Sequence, residues 1–357
     1  MSEIDNLLKE KAKTINQMIE RYLPREFGKN SIVFKMIPPR FAYNLQCLDE
    51  GIAKPVWEFL DRGGKRWRPV LFLLICEALG KDPNDFLDYV VIPEVVHNGT
   101  LLVDDIEDAS ELRRGKPCTY KLFGVDIAIN AGNAMYYLPL LPLLKNRDKL
   151  DPKILSRLYQ IYVEEMINLH FGQAMDIAWH KGLANADRID EKEYLQMCAY
   201  KTGTLARMAA KLAAVFAGAD DELTVNLGHF AEMIGVAFQI QDDILDLTSR
   251  DFAEKKGGRG MDITEGKRTL MVIHTLRVAP INDRKRLISI LNMHTDNQQL
   301  RDEAIMIMEK SKSIEYAMQR AREMVKASWD EIDKLLSPSE AKKKLQSFVE
   351  YLVERSI

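Results

Sequence analysis

Two short acidic motifs constrain this chain more than any other feature: Asp104-Asp105-Ile106-Glu107-Asp108 and Asp242-Asp243-Ile244-Leu245-Asp246. In each, the first and last aspartates stand four residues apart, which on an α-helix puts them on one face, one turn apart. Each motif follows an apolar stretch, residues 94–103 and 230–241, so each carboxylate pair closes a helix that must be largely buried. A buried carboxylate without a partner is very costly. The fold therefore has to bring compensating charge to both helix ends. Two carboxylates one turn apart can hold the same cation. The six histidines show no zinc-like spacing with cysteine, and oxygen donors alone favour a hard cation such as Mg²⁺.

Apolar residues recur at i, i+3, i+4 over 69–79, 154–179, 191–217, 223–247, 270–278, 297–336 and 339–356, with strong helix formers between them. Alternating β-branched runs are absent, which predicts an all-α fold. Breaks fall at Gly63-Gly64, at Gly115-Lys116-Pro117, over 146–152 and 218–221, and along the polar stretch 249–266. Segments 154–179 and 223–247 are apolar around much of their circumference, as central helices are. With no low-complexity linker, the expected architecture is one large single-domain helical bundle, 1–357, around a central cavity, with residues 1–55 as an N-terminal helical extension packed on it.

The net charge of −3 gives no argument for nucleic acid or an anionic membrane as partner. Cys47, Cys76, Cys118 and Cys198 are scattered and read as reduced thiols. The N-terminus is unlike a signal peptide, and no apolar run approaches membrane-spanning length. A soluble cytoplasmic protein without membrane insertion is the expectation.

Three basic clusters flank the acidic motifs: Lys65-Arg66-Trp67-Arg68, Arg113-Arg114, and Lys255-Lys256 with Arg259, Lys267 and Arg268. A cation site of aspartates alone has no use for them. They make sense if the ligand is a diphosphate, bridged by metal on one face and held by basic forks on the other. Separate basic groups point to two diphosphate ligands. Taken singly, each acidic motif reads as a solvated face, the basic residues as surface ion pairs, and His97 and His170 as core histidines; the pairing of motifs and loops argues otherwise.

The ordered series Gly63-Gly64-Lys65-Arg66-Trp67-Arg68-Pro69, His97-Asn98 leading to the first motif and Arg113-Arg114-Gly115, Gly172-Gln173 with Asp176, Lys201-Thr202-Gly203, Phe238-Gln239-Ile240-Gln241 leading to the second motif, and Glu265-Gly266-Lys267 resembles the trans-isoprenyl diphosphate synthases, the polyprenyl synthetase family. The stretch 165–173 is similar to geranylgeranyl diphosphate synthases of the eukaryotic type. The resemblance implies the isoprenoid synthase class I fold, a homodimer, and a reaction in which three Mg²⁺ ions assist ionisation of an allylic diphosphate. Isopentenyl diphosphate then attacks the cation, and a proton leaves for the released pyrophosphate.

By position, the resemblance implies Asp104, Asp108 and Asp242 as metal ligands, with Asp105, Asp243 and Asp246 as supporting or water-mediated partners. It gives Arg113, Lys201 and Lys267 to the allylic diphosphate, and Gln239 and Thr202 to its orientation. It gives Gly64, Lys65, Arg68, His97 and Arg114 to isopentenyl diphosphate. The family's loop lysine falls at Gly257 here, so its role passes to Lys256, with Arg259 as substitute. Trp67 stands where leucine is usual, a change of packing. A class I terpene cyclase and a non-catalytic regulatory subunit are the alternatives; two complete motifs argue against both.

The growing chain would run along the helix ending at Asp104, past Val96, Gly99 and Thr100, to a floor that the resemblance places at Tyr136, Tyr137 and His170. Small residues at 99 and 100 leave a tunnel open beyond fifteen carbons. The expected product is mainly the twenty-carbon diphosphate, ahead of fifteen carbons or twenty-five and more. The plainer reading of the tyrosines is ordinary core aromatics.

Overall fold

The computed structural model describes residues 3–249 and 258–354. α1 (Glu3–Tyr22) lays Ile4, Leu8, Ile15, Ile19 and Tyr22 against the body of the protein. α2 (Lys54–Leu60) leads into the Gly63-Gly64 loop, and α3 (Trp67–Ala78) is buried along nearly its whole length. α4 (Val91–Glu107) ends in the first acidic motif. A two-stranded antiparallel hairpin follows, β1 (Leu112–Arg113) with β2 (Lys116–Pro117), then α5 (Val125–Tyr137).

α6 (Pro152–His180) starts on Asp151-Pro152, a capping side chain followed by the residue best suited to a first helical position. α7 (Glu191–Cys198) opens with a capping box between Asp190 and Glu193 and passes through a π-helical turn, Ala199–Gly203, into α8 (Thr204–Ala217). α9 (Asp221–Thr248) carries the second motif in its last two turns. α10 (Leu270–Val278), α11 (Ile281–Asn292), α12 (Gln298–Lys310), α13 (Ser313–Ile332) and α14 (Glu340–Glu354) complete the chain. α9 packs between α8 and α13, α8 also touches α3 and α6, and α4 lies along α5. One connected apolar core runs from Ile4 to Leu352.

The all-α expectation holds apart from the short hairpin. The stretch 191–217 is not one regular helix, because the π-helical turn inserts an extra residue. The stretch 297–336 breaks where Lys312 adopts a left-handed backbone, φ 52°. The expectation of no membrane-length apolar run is also corrected. Residues 83–107 and 125–146 are long and apolar enough, at mean hydropathy 1.2. Half or more of each is buried inside the protein, and the first ends in the acidic motif, so core packing accounts for their composition.

Candidate active site

A cavity of about 1520 Å³ opens where α4, α6 and α9 converge, larger than a pocket for one small ligand. Asp104, Asp108 and Asp242 line it together, as do Asp243, Glu107, Asp262 and Glu265. Asp105 and Asp246 do not line it. Asp105 is 1% exposed and grips Arg113, at 2.7 Å to Nε and 2.5 Å to Nη2. Asp246 is fully buried, and its Oδ2 accepts the Asp262 backbone N–H at 3.1 Å. These two therefore stand behind the cavity lining as buried supports, Asp105 through its Oδ1 on Arg113 and Asp246 through its Oδ2 on the fold-back segment. Asp243 accepts from Tyr194 Oη at 2.8 Å and from Gln239 Nε2 at 2.7 Å.

Cations from other segments meet the carboxylates at this end. Lys201 Nζ donates to Asp104 Oδ1 at 3.1 Å and to Asp176 Oδ2 at 2.5 Å, and Lys267 Nζ donates to Asp108 Oδ2 at 3.2 Å. Gln173 Nε2 reaches Asp104 at 2.9 Å and Glu107 at 2.7 Å. Burial opposes charge on Asp104, but Lys201, Lys267 and Arg113 outweigh it and hold its carboxyl below the usual range. At Asp108 burial dominates, and the carboxyl titrates above that range. Burial likewise opposes charge on Lys201, where Asp104 and Asp176 more than reverse it and raise its pKa.

The donor set fits a hard divalent cation. Asp108 Oδ1 is buried with no hydrogen-bond partner, and His180 Nε2 stands 4.0 Å from it. Among the described residues no three His, Cys, Asp or Glu side chains lie close enough to hold an ion by themselves. Mg²⁺ suits such an open arrangement, because it keeps several waters and shares substrate phosphate oxygens.

Local backbone explains how Lys201 gets there. It sits on the π-helical turn, wedged between α6 and α9 at two glycines. A Cβ on Gly172 would fall 2.2 Å from the Lys201 nitrogen, and one on Gly235 would fall 2.6 Å from Gly203 Cα. No side chain fits at either contact. Thr202, on the same turn, donates to Gln239 Oε1 at 2.8 Å, which makes a chain from Thr202 through Gln239 to Asp243.

The other end of the cavity is cationic. Arg114 and Gly115 form the hairpin turn with φ of 55° and 76°, the pair of positive values a type I′ turn requires. Arg62 pins this hairpin by donating to the carbonyls of Arg113 at 3.1 Å and Pro117 at 2.8 Å. Arg114 Nη2 donates to Asn98 Oδ1 at 3.2 Å, and burial pushes its guanidinium down to about 10. A Cβ on Gly64 would meet Arg66 and Arg114 at 3.1 and 3.3 Å, so the backbone passes between two guanidiniums. His97 is held well below its ordinary pKa by burial first and then by Arg68, Arg114, Arg66 and Arg113. Lys65 lies over the Tyr351 ring of α14 at 5.8 Å.

The described residues correct several sequence expectations. Arg66 is structural, ion-paired with Glu94 at 2.8 Å in the interior. Trp67 does more than pack: the Arg68 guanidinium lies 4.4 Å over its ring. Arg259 is engaged away from the cavity, its Nε donating to the Leu247 carbonyl at 2.6 Å and its fork facing Asp302 and Glu309. Arg268 is tied to Asp187, Gly266 and Asn292. Lys256 lies outside the described residues. His180 and His294, given no role from sequence, both line the cavity.

The wall changes too. Thr100, Tyr136 and His170 line the cavity, and the Tyr136 and His170 rings meet edge to face at 5.9 Å. Tyr137 is 70% exposed and points outward. Val96 is fully buried away from the cavity, and a Cβ on Gly99 would lie 2.9 Å from the Gly132 carbonyl of α5. Gly99 therefore governs helix packing rather than the tail's path.

The chain matches the polyprenyl synthetase family model over residues 49–308. The chain belongs to the polyprenyl synthetase family. It is 34% identical over 296 residues to a short chain isoprenyl diphosphate synthase of Methanothermobacter thermautotrophicus, covering 83% of this chain and 88% of the relative. It is 38% identical over 233 residues to a fungal geranylgeranyl pyrophosphate synthase of Macrophomina phaseolina, covering 65% and 67%. Among solved structures, geranylgeranyl pyrophosphate synthetase of Pyrococcus horikoshii superposes with a TM-score of 0.81 at 30% identity over 99% of both chains. This polyprenyl synthetase thus shares the all-α isoprenoid synthase fold from end to end.

Proposed function

We propose that this polyprenyl synthetase condenses isopentenyl diphosphate with an allylic diphosphate (dimethylallyl, geranyl or farnesyl) into a linear all-trans product, mainly geranylgeranyl diphosphate. The observation carrying the reading is the division of one cavity into an acidic end, with Asp104, Asp108 and Asp242, and a cationic end, with Lys65, Arg68, His97 and Arg114. Magnesium, three ions per site, would be held by the three aspartates, and when bound it draws charge from the allylic diphosphate as that group departs. Lys201, Lys267 and Arg113 hold the departing group and steady its charge. Thr202 and Gln239 orient it. At the other end the arginine forks bind isopentenyl diphosphate through paired hydrogen bonds, beside a neutral His97.

Thr100 and the Tyr136–His170 pair limit the tail. One helical turn, about 5.4 Å, is close to one five-carbon unit, so a bulky side chain at Thr100 truncates the chain early. The enzyme works in the cytoplasm as a homodimer, without nucleic acid or membrane insertion. Support for the dimer is an outward apolar face on α5 and α6, with Val125, Ile129, Val163, Ile167 and Phe171 between 39% and 58% exposed.

Purified protein given Mg²⁺, farnesyl diphosphate and labelled isopentenyl diphosphate should extend the chain by one unit; no incorporated label would sink the reading. Thr100→Phe should shift the product to fifteen carbons, and Tyr136→Ala or His170→Ala to longer chains. An unchanged twenty-carbon product in all three would remove the wall from the cavity.

A further inference from the structure

Below the π-helical turn, α6, α8 and α9 share a buried group of charges that does not line the active-site cavity. Glu165 of α6 is fully buried, and Arg207 of α8 is 6% exposed. Arg207 Nε donates to both Glu165 oxygens, at 2.8 and 3.0 Å, and Lys211 Nζ reaches Glu165 Oε1 at 2.8 Å. The same guanidinium pairs with Glu232 of α9. Its Nη2 also donates at 3.1 Å to Oγ1 of Thr204, the residue immediately after the turn. Glu232 leans on the turn itself: a Cβ on Gly203 would lie 3.1 Å from both the Glu232 Cγ and its carbonyl.

Apolar side chains of similar size usually serve stability as well as a buried ion cluster or better, so stability alone does not account for four charges here. Geometry does. A π-helical turn carries one residue more than an α-turn, and its relaxation to regular helix would rotate the preceding segment by one residue's share of a turn, about 100°. Such a rotation would swing Lys201 away from Asp104 and Asp176. Arg207 ties the residue after the turn to both flanking helices and blocks it.

We propose that the Glu165–Arg207–Glu232 network is the positioning device of the π-helical turn, and that Arg207 acts on the reaction through Lys201. This rests on the reading that Lys201 serves the allylic diphosphate. Arg207→Met and Glu232→Gln should keep the Michaelis constant for isopentenyl diphosphate within about twofold while kcat falls about tenfold or more, as expected when a reacting group is displaced by roughly an ångström.

The deciding experiment is a double-mutant cycle in the full-length chain, with folding checked by thermal melting. In a Lys201→Ala background, Arg207→Met should add no more than about a twofold further loss, because the group it positions is already gone. A loss that multiplies in full, or a folded Arg207→Met with unchanged kcat, would overturn the proposal. Should Arg207→Met fail to fold, Glu232→Gln takes its place in the cycle, with the same outcomes deciding. Failure of the functional reading looks different: the wild-type chain would then incorporate no labelled isopentenyl diphosphate.

Discussion

The two acidic motifs share one spacing and end in different circumstances. At the end of α4, Asp104 and Asp108 both face the cavity and meet Lys201 and Lys267. At the end of α9, Asp242 faces the cavity while Asp246 is buried against the segment that folds back over it, where the Gly260 and Asp262 N–H groups meet its backbone and side chain. The second aspartates diverge as well, since Asp105 holds a cation and Asp243 holds an amide and a phenol. A repeated motif therefore fixes where carboxylates start on a helix, and the covering chain decides which stay available.

The largest effect should fall on the positions where the motifs agree. Asp104→Ala and Asp242→Ala should each lower turnover at least about a hundredfold, comparable to losing a preorganised electrostatic contact. Near-normal label incorporation by either variant would break the equivalence and the metal assignment with it.

Where the motifs disagree, the losses should split. Asp108→Asn should cost about tenfold or more in kcat, in the range of a misplaced charge-stabilising group. Asp246→Ala should instead destabilise by about 1–3 kcal/mol, the cost of a buried donor left unpaired. Its loss would show as a lowered Tm, with kcat largely kept below that temperature. Equal kinetic losses without a Tm change would mean that Asp246 reaches the reaction after all.

A smaller effect separates the helices seven residues before their motifs, where α4 has His97 and α9 has Gly235. The folded pKa of His97 lies below its ordinary 6.5, so the unfolded chain takes up the proton first. Its stabilising contribution is therefore present above about pH 6.5 and lost as pH falls below it. Thermal melts from pH 7.5 to 5.5 should show a steeper decline for the wild type than for His97→Gln; parallel curves would remove the histidine from the account.

Much of this site is legible in the sequence because its chemistry demands rare local patterns. Asp104, Asp108, Asp242 and the basic loops around Arg68, Arg114 and Lys267 stand out by residue type and spacing alone. What the sequence hides depends on contacts between distant segments. Adjacent helical residues differ by about 100° in direction, so only the neighbour of α5 decides that Tyr136 faces inward and Tyr137 outward. Gly99 and Thr100 differ in the same way on α4. The extra residue in 199–203 leaves no trace in apolar periodicity, and the burial of Asp246 follows from a fold-back that local pattern does not encode. The Arg62 hold on the hairpin bridges two loops that look independent on paper.

The contact between α4 and α5 bears on how faithfully chain length is measured. A Cβ on Gly99 would collide with Gly132 and Met135, and one on Gly132 would collide with Val103, so the helices touch almost backbone to backbone. On the function proposed above, α4 carries the reacting end at Asp104 and α5 carries the stop at Tyr136. With no room for a side chain at either glycine, the interval from start to stop would behave as a rigid gauge. Alanine at Gly99 or Gly132 would pry the helices apart and leave the gauge loose, giving a mixture of lengths where a plug at Thr100 gives a single shorter one. On that reading, uniformity of product belongs to Gly99 and Gly132, and length of product to Thr100.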